Sequence, residues 1–245
     1  MSNLYVSDQL NDLKLFGMAN DFEMQIQNPS MNEFPFEQRL RSLIDHEKMY
    51  RDNKRLQILL KKAKLKISAS IEEIDYRSPR GIEKSQLLAL TKLEWVQENQ
   101  NLIITGPTGT GKTWIACAIG NQACRMGIST LFTRVTLLQE NFLASHATGT
   151  FNKFLTSLSK VKLLILDDWG MNPLDERAQQ DLFELIDSRV GTGATILTSQ
   201  FPIEKWHDAM NNKTIADAVM DRLIYSSHTL KFSGESLRKK QKKLK

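Results

Sequence analysis

The sequence predicts an α/β protein, a parallel sheet covered by helices on both faces and preceded by a small all-α domain. Three observations carry this. Apolar strand-like runs alternate with helix-like segments from about residue 101 onward, the pattern of a parallel sheet. A glycine-rich run, Gly106 to Thr113, stands between a short apolar run and a helix-like segment. Residues 7–66 instead place their apolar side chains at helical spacing.

In the N-terminal region Leu10, Leu13 and Phe16 recur at helical spacing, and Pro29 closes that element. A turn-prone stretch from Met31 to Pro35 precedes two further periodic runs. The first carries Leu40, Leu43 and Ile44; the second carries Leu56, Leu59, Leu60 and Ala63. Such stripes predict helices with one face buried against their neighbours. Lys54 with Lys61, and Arg55 with Lys62, run as basic stripes beside the apolar one. Ile71 to Gly81 reads as a linker, because Ser78-Pro79-Arg80-Gly81 is strong turn chemistry.

Ile82 to Gln97 reads as a helix. Strands are expected at Leu102–Thr105, Thr130–Arg134, Val161–Asp167, Thr195–Thr198 and His228–Phe232. Helices are expected at Thr113–Met126, Leu137–Leu158, Arg177–Val190 and Ile215–Ile224. The expected division is a helical domain over 1–68, a linker over 69–82 and an α/β domain over 83–245 with a basic tail.

The apolar and charged fractions, 41% and 25%, are those of an ordinary folded chain. No apolar run approaches the ~20 residues of a membrane span. The first residues mix acids with apolar side chains and lack the pattern of a signal peptide. The cytoplasm is the expected address. Cys117 and Cys124 are the two cysteines and share a face of one predicted helix. Small core residues are the expected reading, since a metal would need more ligands.

The net charge is +5, unevenly spread. Lys48, Arg51, Lys54, Arg55, Lys61, Lys62, Lys64 and Lys66 crowd one segment in which Asp52 is the sole acid. A second cluster, Arg238 to Lys245, ends the chain. Basic clusters of this density favour a polyanion, and phosphate contacts of this kind give weak sequence selectivity and steep salt dependence.

The stretch Gly106, Pro107, Thr108, Gly109, Thr110, Gly111, Lys112 and Thr113 has every feature of a P-loop. Its glycines let backbone N–H groups turn inward onto phosphate oxygens, and the following helix adds partial positive charge there. Lys112 would reach the β- and γ-phosphates, and the Thr113 hydroxyl would ligate Mg²⁺. Leu163 to Leu166 is a buried-strand run ending in Asp167 and Asp168. An acid at the end of a strand beside the P-loop can hold the same Mg²⁺, which assigns that task to Asp167. Asp168 would orient or activate the attacking water, or else cap the next helix. After the next strand, Gln200 or Ser199 could sense the γ-phosphate or hold the water; strand-end hydrogen bonding is the rival reading. Arg222 can stabilise charge on a transferring phosphoryl group, from a neighbouring subunit if need be. A surface arginine paired with Asp221 or another acid is the other reading. His46, His146, His207 and His228 form no metal-ligand or acid–base pattern.

These segments together resemble the IstB-like family, helper ATPases of insertion-sequence transposition within the AAA+ superfamily. The likeness includes Leu13-Lys14-Leu15-Phe16-Gly17-Met18, Glu47 with Arg51, Ala63-Lys64-Leu65, Ile74-Asp75-Tyr76-Arg77 and the nucleotide stretch through Trp114. It continues with Leu166-Asp167-Asp168-Trp169-Gly170, Thr198-Ser199-Gln200, Asp221-Arg222-Leu223 and Gly234 to Arg238. The resemblance implies a three-layer α/β/α AAA+ module that binds ATP and Mg²⁺ and forms a homo-oligomer. It also implies a helical domain that grips double-stranded DNA, and a partner transposase of the IstA type. By the same likeness Gln200 is the first sensor and Arg222 the inter-subunit arginine finger. Lys153, in a segment resembling the extra helical insertion of initiator-type AAA+ proteins, would face DNA. Asp168 stands where many AAA+ proteins have Glu, which suits slow hydrolysis.

Two other functions share the P-loop. A helicase loader would bind single strands, for which stacking aromatics are expected; the segment from Lys48 to Lys66 holds one, Tyr50. A small-molecule kinase would have little use for a basic helical appendage.

Overall fold

The computed structural model describes residues 2–76 and 81–237. The expected basic tail, Arg238 to Lys245, lies outside the described residues, as do Arg77, Ser78, Pro79 and Arg80. The chain divides into two compact units, Met1–Ile58 and Leu59–Lys245. The expected helical domain reached residue 68, so residues 59–68 fall in the second unit.

In the first unit, helix α1 (Ser2–Asp12) is followed by α2 (Phe16–Gln27), a short 3-10 turn (Pro29–Glu33) and α3 (Phe36–Ala63). The first expected element is thus two helices, parted where Lys14 takes a left-handed φ of 60°. The second and third expected elements are one continuous helix, which runs through the boundary between the units. The apolar stripes are less buried than their spacing predicts: Leu13 is 69% exposed and Ile44 53%.

Polar bonding does more here. A Cβ on Gly17 would lie 2.5 Å from the His46 carbonyl and 2.6 Å from the Glu47 Cα, so the two helices touch backbone to backbone. That approach brings the Glu47 carboxylate to the start of α2, where no side chain of the N-cap residue Leu15 serves. Glu47 Oε2 accepts from the Gly17 N–H at 2.7 Å and the Met18 N–H at 3.2 Å, while Oε1 accepts from Arg51 Nε at 2.6 Å. A carboxylate on the first free N–H groups also complements the helix dipole. Burial would raise the Glu47 carboxyl, but the Arg51 hydrogen bond, the two backbone donors and the Arg51 charge together hold it below the ordinary range.

The second unit contains α4 (Lys84–Thr91), α5 (Glu94–Gln97), β1 (Asn101–Thr105), α6 (Lys112–Arg125), β2 (Thr130–Arg134), α7 (Val135–Ala147) and α8 (Phe151–Ser159). It continues with β3 (Leu163–Trp169), α9 (Glu176–Arg189), β4 (Ala194–Ser199), α10 (Lys213–Ile224) and β5 (Ser227–Lys231). Among the described residues the five strands form one sheet, every neighbouring pair parallel, in the order β2-β3-β4-β1-β5.

Period-two alternation splits the core between the faces. Leu102, Ile104, Leu163, Ile165 and Ile196 pack with α6, and Ile103, Leu164, Leu166 and Leu197 pack with α7 through α10. Helix α6 lies close on the sheet because its inner face is small: a Cβ on Gly120 would lie 2.8 Å from Ile165 Cδ1. Cys117 and Cys124 belong to this buried face and are free thiols, with burial pushing both up in pKa.

One expectation changes. Part of the expected linker is core, since Ala69 and Ile74 are buried with the α6-side cluster and Ile71 packs against it. In the sheet, β4 lies between β1 and the strand that carries Asp167. At the amino ends of β3 and β4, Arg189 is buried with no carboxylate partner among the described residues. Its guanidinium donates to the carbonyls of Leu158, Val161 and Ala194 at 2.6–2.8 Å, and burial pushes its pKa down to about 10.

The Glu47 clamp gives a test of the first unit. Because its folded pKa is depressed, its contribution is complete above the ordinary glutamate value of about 4.3 and is lost as pH falls below it. Glu47→Gln should cost about 1 kcal/mol at neutral pH, the usual worth of a helix cap. It should also flatten the loss of stability on acidification, as followed by urea unfolding at pH 7 and below pH 4.

Candidate nucleotide site

Parallel strands deliver their carboxyl ends to one edge, and there β1, β3 and β4 each hand over to a functional loop. Beyond β1 the chain turns through the P-loop and enters α6 at Lys112. Gly106 has φ 143°, and a Cβ there would collide with the Phe232 carbonyl. Gly109 has φ 83°, and a Cβ there would collide with the Ser236 hydroxyl. The segment after β5 therefore lies directly on the P-loop, fixed by the Leu237 N–H donating to the Gly109 carbonyl at 2.9 Å.

A cleft of about 740 Å³ opens in front of this loop, within the usual size of small-molecule sites. Thr108, Gly109, Gly111, Lys112, Thr113 and Trp114 line it. Lys112 is buried and donates from Nζ to the carbonyls of Gly106 at 2.7 Å and Pro107 at 2.9 Å. Burial pushes its ammonium below the ordinary lysine range, while the charges of Asp168 and Asp167 act the other way.

Asp167 is fully buried. Its Oδ1 accepts from Thr113 Oγ1 at 2.7 Å and from Thr198 Oγ1 at 2.6 Å. Its Oδ2 has no hydrogen-bond partner and faces the Lys66 ammonium at 3.5 Å. An orphaned carboxylate oxygen beside a hydroxyl is a hard, all-oxygen donor set, so these residues fit Mg²⁺. Thr198, on the intervening strand β4, donates to the same Asp167 oxygen as Thr113 does.

Asp168 points elsewhere because the pairing of β3 with β4 slips between Leu166 and Trp169. The irregularity puts Asp168 at φ 64°, with its N–H donating to Thr198 Oγ1 at 3.2 Å. Its side chain is 34% exposed in the cleft, 4.0 Å from Arg134 Nε. Bulges of this kind re-aim side chains at sites.

Gln200 lines the cleft and accepts from Thr108 Oγ1 at 2.5 Å. Ser199 is buried and donates to the Trp169 carbonyl at 2.8 Å, facing away. Arg222 does not line the cleft. Its Nε donates to Asp187 Oδ1 at 2.7 Å, and the guanidinium lies over the Phe183 ring at 4.8 Å. Within one protomer Arg222 is thus the paired surface arginine.

Lys48, Arg51, Lys54, Arg55, Lys61, Lys62 and Lys64 are all exposed on α3 or just past it, and Lys153 is exposed on α8. Arg51 is bound to Glu47, and Lys54 lies over the Phe16 and Tyr50 rings at 5.5 and 5.8 Å. Lys66 leaves the basic cluster for the cleft. Sequence reasoning missed Thr198, Lys66, Arg134 and Leu237. Thr198 alone carried a signal, being a polar residue inside an apolar strand.

The family model described as IstB-like ATP binding protein matches residues 8–245. An insertion sequence ATP-binding protein of Sinorhizobium fredii is 40% identical over 236 residues, covering 96% of both chains. Among solved structures, DnaI aligns with a TM-score of 0.59 at 21% identity, over 68% of this chain and 92% of that one. The replication initiator DnaA, bound to AMPPCP and single-stranded DNA, aligns with a TM-score of 0.60 at 20% identity, over 74% of this chain and 56% of that one. At these identities the structural likeness shows the fold alone, a parallel α/β module.

Thr198→Val keeps the side-chain shape and removes the bridge between the two aspartates. It leaves the Asp168 N–H without its acceptor and Asp167 with one donor fewer, and should cost about 2 kcal/mol of stability in urea unfolding. No loss would mean that the hydroxyl is not shared.

Proposed function

We propose that this chain, which belongs to the IstB-like ATP-binding protein family, is an ATPase that assembles on duplex DNA and delivers or activates a transposase. The observation that carries the nucleotide chemistry is the 2.7 Å hydrogen bond between the P-loop Thr113 and the fully buried Asp167, in the same cleft as Lys112. The curated relative's description as an insertion sequence ATP-binding protein supports the setting.

In this reading the P-loop amides and Lys112 bind the β- and γ-phosphates, and Thr113 with Asp167 holds Mg²⁺. When bound, that ion offsets charge on the phosphate oxygens. Asp168, half-buried in the cleft, orients or activates water as general base. Its short side chain suits slow turnover. Gln200 contacts the γ-phosphate or the water. Arg222 completes the site of a neighbouring protomer as arginine finger, for which it leaves Asp187. A homo-oligomer follows, with triphosphate at each protomer junction.

The DNA partner is read from α3. Its exposed cations present a charged face suited to backbone phosphates. The proposed roles are duplex binding for the helical unit and ATP hydrolysis for the α/β unit, with Lys153 a further DNA contact. The partner transposase is of the IstA type. Among the described residues no helix is long and apolar enough to cross a membrane, in keeping with a cytoplasmic, DNA-associated role.

Two measurements test this. Asp168→Asn should lower ATP hydrolysis at least ~100-fold, in the range for loss of a general base, while ATP-dependent assembly on duplex DNA persists; unchanged turnover removes Asp168 from the mechanism. Lys61→Glu with Lys62→Glu should weaken duplex affinity about tenfold or more at ~0.15 M salt, with ATP binding intact. The same titrations with single-stranded DNA separate this function from that of a helicase loader, which would favour the single strand.

A further inference from the structure

We infer that Lys66 is a positioning residue that competes with Mg²⁺ for Asp167, so that metal loading waits for the triphosphate. The inference rests on the nucleotide reading of the cleft and names a control within it. Asp167 has two oxygens and two kinds of partner. Oδ1 is taken by the hydroxyls of Thr113 and Thr198, and Oδ2 faces only the Lys66 ammonium, at 3.5 Å. A metal that uses Asp167 without breaking the threonine bonds must therefore approach the oxygen that Lys66 already neutralises.

The backbone holds Lys66 at that place. Lys64 has a left-handed φ of 50° just past the end of α3, which turns the chain back over the sheet. Leu65 and Ile67 then pack into the α6-side core, and Leu65 Cδ2 lies 3.0 Å from where a Cβ on Gly120 would stand. Lys66, between two anchored neighbours, is turned into the cleft, with 34% of its side chain exposed and the P-loop residues as co-liners.

An ammonium and a divalent cation repel at this range, so one carboxylate oxygen does not serve both. Arriving phosphates offer Lys66 another anion within the same cleft. Lys66 then releases Asp167 to the metal only when phosphate is there to receive it. By linkage, Lys66 raises the Mg²⁺ concentration needed for loading and makes it depend on the nucleotide. A purely structural counter-ion would predict something different: lost folding stability and an unchanged or higher Mg²⁺ requirement.

The test uses the full chain and a fluorescent ATP analogue at fixed concentration, titrated with Mg²⁺ from a metal-free start. Lys66→Met and Lys66→Gln should lower the half-saturating Mg²⁺ about fivefold or more, and Lys66→Arg should stay near the wild-type value. An unchanged or raised requirement in both neutral variants, with wild-type binding normal, overturns the inference alone. Failure of both neutral variants to fold, read from their melting curves, would assign Lys66 to stability and overturn it as well. A wild-type protein that binds no analogue at any Mg²⁺ concentration would sink the nucleotide reading together with it.

Discussion

A fully buried carboxylate, Asp167, is the constraint on which the rest of the second unit depends. Burying an ionised carboxylate is unfavourable unless its oxygens find donors. Here two hydroxyl donors and one cation come from three separate elements: Thr113 at the start of α6, Thr198 in β4 and Lys66 beyond α3. Each bond therefore does two things. It offsets the desolvation of Asp167, and it ties the P-loop helix, the central strand and the segment after α3 to one point. The pairing of β4 with β3 sets the Thr198 hydroxyl against both the Asp167 carboxylate and the Asp168 N–H.

The loop that faces Asp167 is constrained from the other side. Phe232 and Ser236 occupy the space that side chains at positions 106 and 109 would need. The glycines are thus required twice, once for their left-handed backbone and once for the approach of the segment after β5. A loop fixed in this way presents its N–H groups without much rearrangement, which lowers the entropic cost of holding a polyphosphate. This gives a physical role to the Gly234 to Leu237 stretch: its residues brace the phosphate-binding turn.

Much of this was legible in the sequence. The P-loop and the acidic strand end were readable because their chemistry is local: spacing alone puts glycines, Lys112 and Thr113 on one turn. The five strands were readable for a similar reason, since buried parallel strands are continuous apolar runs. What escaped depends on distant pairing. Strand order is set by packing between segments far apart in sequence, so β4 was not foreseen between β1 and β3. The slip at Leu166/Trp169 that turns Asp168 into the cleft leaves no compositional mark. Lys66 looked like one more member of a basic run, and only its burial neighbours Leu65 and Ile67 distinguish it. The stretch around Ile71 and Ile74 read as a linker from its turn residues, although its isoleucines were already a hint of core.

The first unit follows a different logic, and it bears on what its charges can do. Few of its apolar side chains are deeply buried, so the Gly17 approach and the Glu47 cap supply order that a larger core would otherwise provide. The same cap engages Arg51, and the Phe16 and Tyr50 rings engage Lys54. These two cations are pre-set on the surface of the unit, and their charge is partly spent before any polyanion arrives. Lys61 and Lys62 lie at the other end of α3, at the carboxyl terminus of the helix, where the dipole favours positive charge. The basic residues of α3 are therefore of two kinds: Arg51 and Lys54, tied to neighbours within their own unit, and Lys61 and Lys62, exposed near the end of the helix.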